Sequence, residues 1–322
     1  MSRSAWHSYS VYGVRIISDT PFDLPSAGLQ NPADHPAPIA FVSECDDDFA
    51  AAAAMPAVEA FACRELPDGR IYLCWPGWYE FIVASDGSRV AHRPLDGCHR
   101  TVFQNFLFAQ VLGVALVRRG REPLHASVVE VGDSAIGFLG DCTFGKSTLV
   151  ASFLERGYRL VTDDMLMVER HHGEPHALPG TGRIKLLPDS AGRFLPHAGR
   201  GMPLNPMTTK RSFALDHGSR RDSSLPLRTL YVLPDPDERD TTASIDILPA
   251  SRSEMMRELV KNTFTIHLVD KDRIARQFDA AAQLASGVDG YRLRYPSGLD
   301  HLPALRDRIV EHAVTRTAQC AL

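Results

Sequence analysis

The sequence predicts an α/β protein in two unequal parts: a smaller β-rich N-terminal domain, then an α/β domain built around a glycine-rich loop. Three observations carry this. Residues 1–98 hold short β-branched and aromatic runs punctuated by Pro and Gly. Residues 99–120 carry apolar side chains at helical spacing, the mark of a connecting helix. In residues 121–322 strand-like and helix-like segments alternate, and Gly140–Thr148 falls between one of each.

Ser10–Ser18, Ile39–Val42, Arg70–Leu73 and Glu80–Val83 read as strands of the first part. The Pro- and Gly-rich stretch Pro21–Pro38 and the pair Pro76–Gly77 separate them, and Ala50–Ala54, after Asp46–Asp48 and before Pro56, reads as a loop. Trp75, Trp78 and Tyr79 read as core, with a binding patch as the alternative. Val102, Phe103, Phe106, Leu107, Val111 and Val114 then recur at helical spacing up to Gly120. Ser127–Val131 and Ala135–Leu139, parted by Gly132-Asp133-Ser134, read as a hairpin, and Lys146–Arg156 as a helix stopped by Gly157. Later strands are expected at Thr229–Leu233 and Ser244–Leu248, and helices at Ser253–Phe264, Asp272–Ser286 and Leu299–Thr315. Pro188–Ser224, rich in Gly, Pro, Arg and Ser, is expected to hold a mobile loop near the site.

Composition narrows the function classes. A net charge of −4 across 322 residues argues against a general nucleic-acid binder, which needs concentrated positive charge; one local basic patch is open at Lys210, Arg211, Arg220, Arg221 and Arg228. The six cysteines form no CxxC pair, which disfavours a zinc ribbon or redox motif. No apolar run reaches membrane-spanning length, and the N-terminus lacks a basic-then-apolar leader. The expectation is a cytoplasmic protein with free thiols, bound neither to membrane nor to nucleic acid.

The strongest motif is Gly140-Asp141-Cys142-Thr143-Phe144-Gly145-Lys146-Ser147-Thr148, a full match to G-x-x-x-x-G-K-[ST]. Gly140 and Gly145 permit backbone conformations that a side chain blocks, so successive N–H groups can turn inward as an anion nest. A helix starting near Lys146 adds its positive end, Lys146 supplies a cation for terminal phosphates, and the Ser147 hydroxyl suits Mg²⁺. Asp163 and Asp164 follow the next strand. In an extended segment they point to opposite faces and take different roles, one organising Mg²⁺ and one accepting a proton. His125 starts a strand and by pattern alone is more often structural. His171, His172 and His176 read as exposed loop residues rather than metal ligands.

Leu124–Glu169 resembles the C-terminal catalytic domain of HPr kinase/phosphorylase, through LHAS at Leu124–Ser127, GDCTFGKST at Gly140–Thr148 and ERGYRLVTDD at Glu155–Asp164. His125 stands 21 residues before Lys146, and Asp164 stands 18 after it, as in that family. The resemblance implies a P-loop kinase fold of the HPr kinase/PEP carboxykinase-like type. It implies ATP and Mg²⁺ as cofactors, His125 and Lys146 as active-site residues, Asp164 as proton acceptor, Ser147 as Mg²⁺ ligand, and Asp163 as a supporting acid for His125 or the metal. The family's E-x-R-G-x-G motif is matched in its glycines only. Ala177–Arg183 lacks the glutamate, which leaves Asp189 as the substitute metal acid and puts phosphorylase activity in doubt.

LPGTGRIKLLPDS (Leu178–Ser190) and VYGVRIISDTPFDLP (Val11–Pro25) are similar to shorter HPr kinase-related proteins of lasso-peptide maturation clusters. That similarity implies phosphorylation of a serine on a precursor peptide or small protein, and the bifunctional relatives imply a homo-oligomer. Two other classes stay open: a P-loop enzyme acting on a small-molecule hydroxyl or transferring a nucleotidyl group, and a non-catalytic nucleotide-binding regulator. The first part could dock an extended peptide along a strand edge or act as a structural cap.

Overall fold

The computed structural model describes residues 6–25, 37–43, 49, 61–95, 100–205, 207–239, 244–264, 268 and 270–320. Among the described residues the fold is mixed α/β with three sheets. The chain divides into two compact units, one of Met1–Glu122 with Thr265–Val269, the other of Pro123–Phe264 with Asp270–Leu322. Among the described residues no helix is long and apolar enough to cross a membrane.

The first unit contains β1 (His7–Val11), β2 (Val14–Ser18), β3 (Ile39–Ser43), β4 (Ala62–Glu65), β5 (Ile71–Trp75), β6 (Tyr79–Val83) and β7 (Arg89–Pro94) in one sheet of order β1-β2-β3-β7-β6-β5-β4. Ser10–Ser18 is not one strand. Tyr12 (φ 55°) and Gly13 (φ 69°) both take left-handed backbone, and this two-residue turn folds the segment into the β1–β2 hairpin. Ala50–Ala54 lies outside the described residues. The helical stretch 100–118 belongs to this unit. It runs as α1 (Arg100–Phe106), a π turn at Leu107–Val111, and α2 (Leu112–Arg118). Phe103 stacks on Phe81 at 5.7 Å and Phe106 on Trp75 at 4.4 Å, so the helix is packed on the sheet by rings. Trp75 and Tyr79 are buried and Trp78 is half-buried, as the core reading requires.

The second unit opens with the hairpin β8 (Ala126–Val131) and β9 (Ser134–Leu139), followed by α3 (Lys146–Glu155), β10 (Leu160–Thr162), β11 (Val168–His171) and β12 (Glu174–Ala177). Next come β13 (Arg183–Leu186), α4 (Pro188–Phe194), β14 (Met202–Pro203), β15 (Arg211–Ala214), β16 (Leu225–Val232), β17 (Asp246–Pro249), α5 (Arg252–Lys261), α6 (Lys271–Gly287), β18 (Asp289–Arg294) and α7 (Leu302–Cys320). The main sheet runs β10-β8-β9-β16-β12-β11, with β18 also on β16 and β17 on β18. β16 is parallel to both β9 and β18.

Period-two alternation sends the two faces of β9 to different cores. Ile136 and Phe138 pack with Leu149, Phe153 and Ile309 from α3 and α7. Ala135 and Leu139 pack with Met255, Leu259 and Leu284 from α5 and α6. Gly137 sits where a Cβ would meet Leu230 Cδ2 at 2.6 Å, so any larger residue there would have to displace the Leu230 side chain. Helix starts are set locally. Ser251 and Glu254 form a capping box for α5, and the Asp270 carboxylate accepts from the Arg273 amide of α6 at 2.8 Å.

Pro188–Ser224 carries regular structure. It contains α4, and its strands β14 and β15 join β13 in a separate sheet of order β13-β15-β14. Proline at the first turn of α4 fits the one helical position where a missing N–H costs nothing.

Candidate active site

The glycine-rich loop joins the end of β9 to the start of α3. Its backbone alternates hands: Gly140 has φ 149°, Thr143 φ 75° and Gly145 φ 89°. Left-handed backbone at a β-branched threonine is strained and costs about 1–3 kcal/mol, a strain characteristic of binding loops. Alternation of this kind curls successive amides toward one point. The first-turn amides of α3 have no intrahelical acceptor and carry the positive end of the helix dipole to the same place.

The loop is braced from outside. Asn262, 2% exposed, accepts from the Gly140 amide through Oδ1 at 3.2 Å. Lys261 pairs with Asp141 at 3.0 Å and lies 5.7 Å from the centre of the Phe144 ring. Arg239 lies over the Tyr295 ring at 4.6 Å and donates to the Phe144 carbonyl. These contacts grip one amide, one carbonyl and the acidic side chain of the loop. Lys146 is 6% exposed and donates to the carbonyls of Gly140 and Asp141, at 2.5 and 2.9 Å. Burial pushes its ammonium below the usual lysine range, opposed by Cys142, Asp163 and Asp164.

The acids lie in a bend after β10 rather than in extended chain, and that bend separates their roles. Asp164 takes φ 76°, one of the few residue types that tolerates it. Thr162 Oγ1 donates to the Met165 carbonyl at 2.6 Å and fixes the bend, after which Leu166 pairs with Leu124 and brings His125 alongside. Asp163 is 5% exposed. Its Oδ1 accepts from Ser127 Oγ at 2.6 Å and from Ser147 Oγ at 2.8 Å, and its Oδ2 from the Lys185 amide at 3.0 Å. Asp164 Oδ2 lies 2.6 Å from Lys185 Nζ, and Oδ1 lies 3.6 Å from His125 Nδ1. Burial alone would raise the Asp164 carboxyl, but Lys185, His125 and Lys146 outweigh it and hold it down to about 2.

His125 Nδ1 is 2.9 Å from the Asp164 backbone carbonyl, which only accepts, so Nδ1 carries a proton and donates. Nε2 faces Cys142 Sγ at 3.7 Å. Burial lowers the imidazole, yet Cys142 and Asp164 raise it further, so its net shift is upward. The same contact pulls the exposed Cys142 thiol down. Of the two parts expected of Asp163, orienting His125 or supporting the metal, Asp164 occupies the first, and Asp163 faces Ser147.

The structure therefore gathers His125, Asp141, Cys142, Lys146, Ser147, Asp163 and Asp164. Thr148 turns away to Ser190 at 3.3 Å, and Asp189 is exposed in the first turn of α4. Ser127, Lys185, Asn262 and Arg239 complete the site and carried no role in the sequence reading. Ser127 and Lys185 stood inside matched segments; Asn262 and Arg239 come from remote positions with no local signal. The basic patch is partly neutralised, with Arg220 on Asp222, Arg221 on Glu130 and Arg228 on Glu174. His171 and His176 stack at 4.3 Å across the β11–β12 hairpin, His171 on its exposed tip. Among the described residues no three His, Cys, Asp or Glu gather as a metal cage.

No protein-family model and no curated protein matches this chain. Among solved structures it is similar to the Hpr(Ser) kinase/phosphatase from Coxiella burnetii, at 13% identity and a TM-score of 0.34, covering 61% of this chain and 98% of that one. A likeness this loose transfers no role to any residue.

Proposed function

We propose that this chain is an ATP-dependent serine kinase that moves the terminal phosphoryl group of ATP to a peptide or small-protein acceptor, of which a lasso-peptide precursor is the leading case. The observation that carries the reading is the convergence of a buried ammonium, a curled loop at a helix start, and two acids with separate partners. The Ser147 hydroxyl and the Asp163 carboxylate, 2.8 Å apart, are the hard oxygen donors Mg²⁺ accepts. A cation that keeps its waters and leans on substrate phosphates needs only one or two protein ligands, which fits this donor set. Bound there, Mg²⁺ would neutralise charge on the phosphates.

The protein's own groups divide the remaining work. Lys146 leaves the loop carbonyls for phosphate oxygens, and the amides of Thr143–Ser147 bind the same charge. Ser127, fully buried, keeps Asp163 turned toward Ser147. Asp164 orients the acceptor hydroxyl and takes its proton. A carboxyl held at about 2 is a weak base, but in a loose transition state the proton leaves late, so orientation is the larger contribution. His125 holds the Asp164 carbonyl and carboxylate in place.

The test is incubation with ATP, Mg²⁺ and a pool of synthetic serine-containing peptides, followed by mass spectrometry. The reading predicts gain of one phosphate on serine with release of ADP. Gain of a nucleotidyl group identifies a nucleotidyltransferase. ATP binding with no acceptor-dependent ADP identifies a regulator. Either result replaces the kinase reading.

A further inference from the structure

Among the described residues, Lys185 is the one whose polar contacts reach both acids. Its backbone amide donates to Asp163 at 3.0 Å, and its ammonium lies 2.6 Å from Asp164. It sits on β13, whose partner β15 pairs with it over four residues from Arg183 to Leu186, so the strand is anchored. The side chain is 24% exposed and that of Asp164 25%, so neither is sealed in the core. The kinase reading gives Lys146 the phosphates and Asp164 the acceptor hydroxyl. It leaves Lys185 on Oδ2, one of the two carboxylate oxygens that could receive the hydroxyl.

We propose that Lys185 is a catalytic residue whose ammonium passes from Asp164 to the phosphoryl group in flight. This rests on the kinase reading. A hydroxyl bound to Asp164 places its oxygen about 2.7 Å from the carboxylate, and the phosphorus it attacks lies about 3–3.5 Å beyond. An ammonium that starts on the carboxylate reaches the equatorial phosphoryl oxygens by turning its flexible stem. The strand need not move, because the Asp163 contact pins the backbone. The move keeps the ammonium on negative charge throughout, since the three equatorial phosphoryl oxygens share the charge of the group in transfer. In the step the bond from acceptor oxygen to phosphorus forms and the bond from phosphorus to ADP breaks. The hydroxyl proton goes to Asp164, and Lys185 keeps its own.

The experiment follows single-turnover loss of the terminal phosphate of ATP with Mg²⁺ and the best acceptor from the peptide pool, alongside binding of a fluorescent N-methylanthraniloyl ATP. Lys185→Ala is expected to slow phosphate loss about 100-fold or more, to bind the nucleotide within about threefold of wild type, and to regain part of its rate with added propylammonium. Lys185→Met keeps the stem, and the same loss is expected without rescue. A Lys185→Ala rate within about threefold of wild type overturns the proposal. So does a rate loss matched by lost nucleotide affinity with no amine rescue, which marks a structural role. Wild-type protein that consumes no ATP sinks the kinase reading itself, and Lys185 with it.

Discussion

The segment 140–148 and the segment 183–214 both face Asp163 and Asp164, yet they are built in opposite ways. The loop is made by its own backbone: positive φ at Thr143 and Gly145, a helix start at Lys146, and a lysine closing on carbonyls five and six residues behind it. The second segment is made by distant pairing. Lys185 opposes Ser212 across β13 and β15, and Met202 opposes Ser212 from the other side. Information confined to nine residues survives in a motif. Information held in the meeting of β13 with a strand more than twenty residues away does not.

The same difference explains what was legible in the sequence. The hairpin β8–β9, the α3 helix and the connecting helical stretch were readable because apolar period and turn residues are local signals. The β1–β2 turn was misread, since Tyr at the first turn position hides a left-handed pair usually announced by Asn or Asp. The regular structure within Pro188–Ser224 is hidden in the sequence because its strands are two and four residues long and its Gly and Pro dominate any periodicity. The acids were found, but their division of labour was assigned by strand alternation. The bend at Asp164 replaced that rule with another, giving Asp163 to Ser127 and Ser147, and Asp164 to His125 and Lys185. Ser127 and Lys185 were in view without roles because a contact partner cannot be read from a lone polar residue.

If the small sheet holds Lys185 in place, breaking its core should separate the two segments. Phe213 is 3% exposed and packs in the same cluster as Ile184, Leu186 and Phe194. Phe213→Ala should cost about 3–5 kcal/mol in denaturant unfolding. In the protein that remains folded, phosphate transfer should fall more than nucleotide binding. Equal loss of both would show that the two segments do not act separately.

A smaller effect sharpens the electrostatic half of the comparison. His125 has its pKa raised in the folded protein, so its contribution to stability is present below the unfolded histidine value and is lost as pH rises through the folded one. Asp164→Asn removes one of the charges that raise it. In NMR titrations the His125 resonances should therefore move to a lower pKa in the variant. An unchanged or higher value would contradict the assigned pairing of His125 with Asp164.

The most direct measurement is calorimetric titration of MgATP into wild-type protein, Lys146→Ala and Asp164→Asn. Loop and ammonium together predict binding by wild type, a loss of at least about tenfold in affinity for Lys146→Ala, equivalent to about 1.4 kcal/mol, and retained affinity for Asp164→Asn. Equal binding by wild type and Lys146→Ala, or no binding by either, would contradict the assignment of this loop to a nucleotide's phosphates.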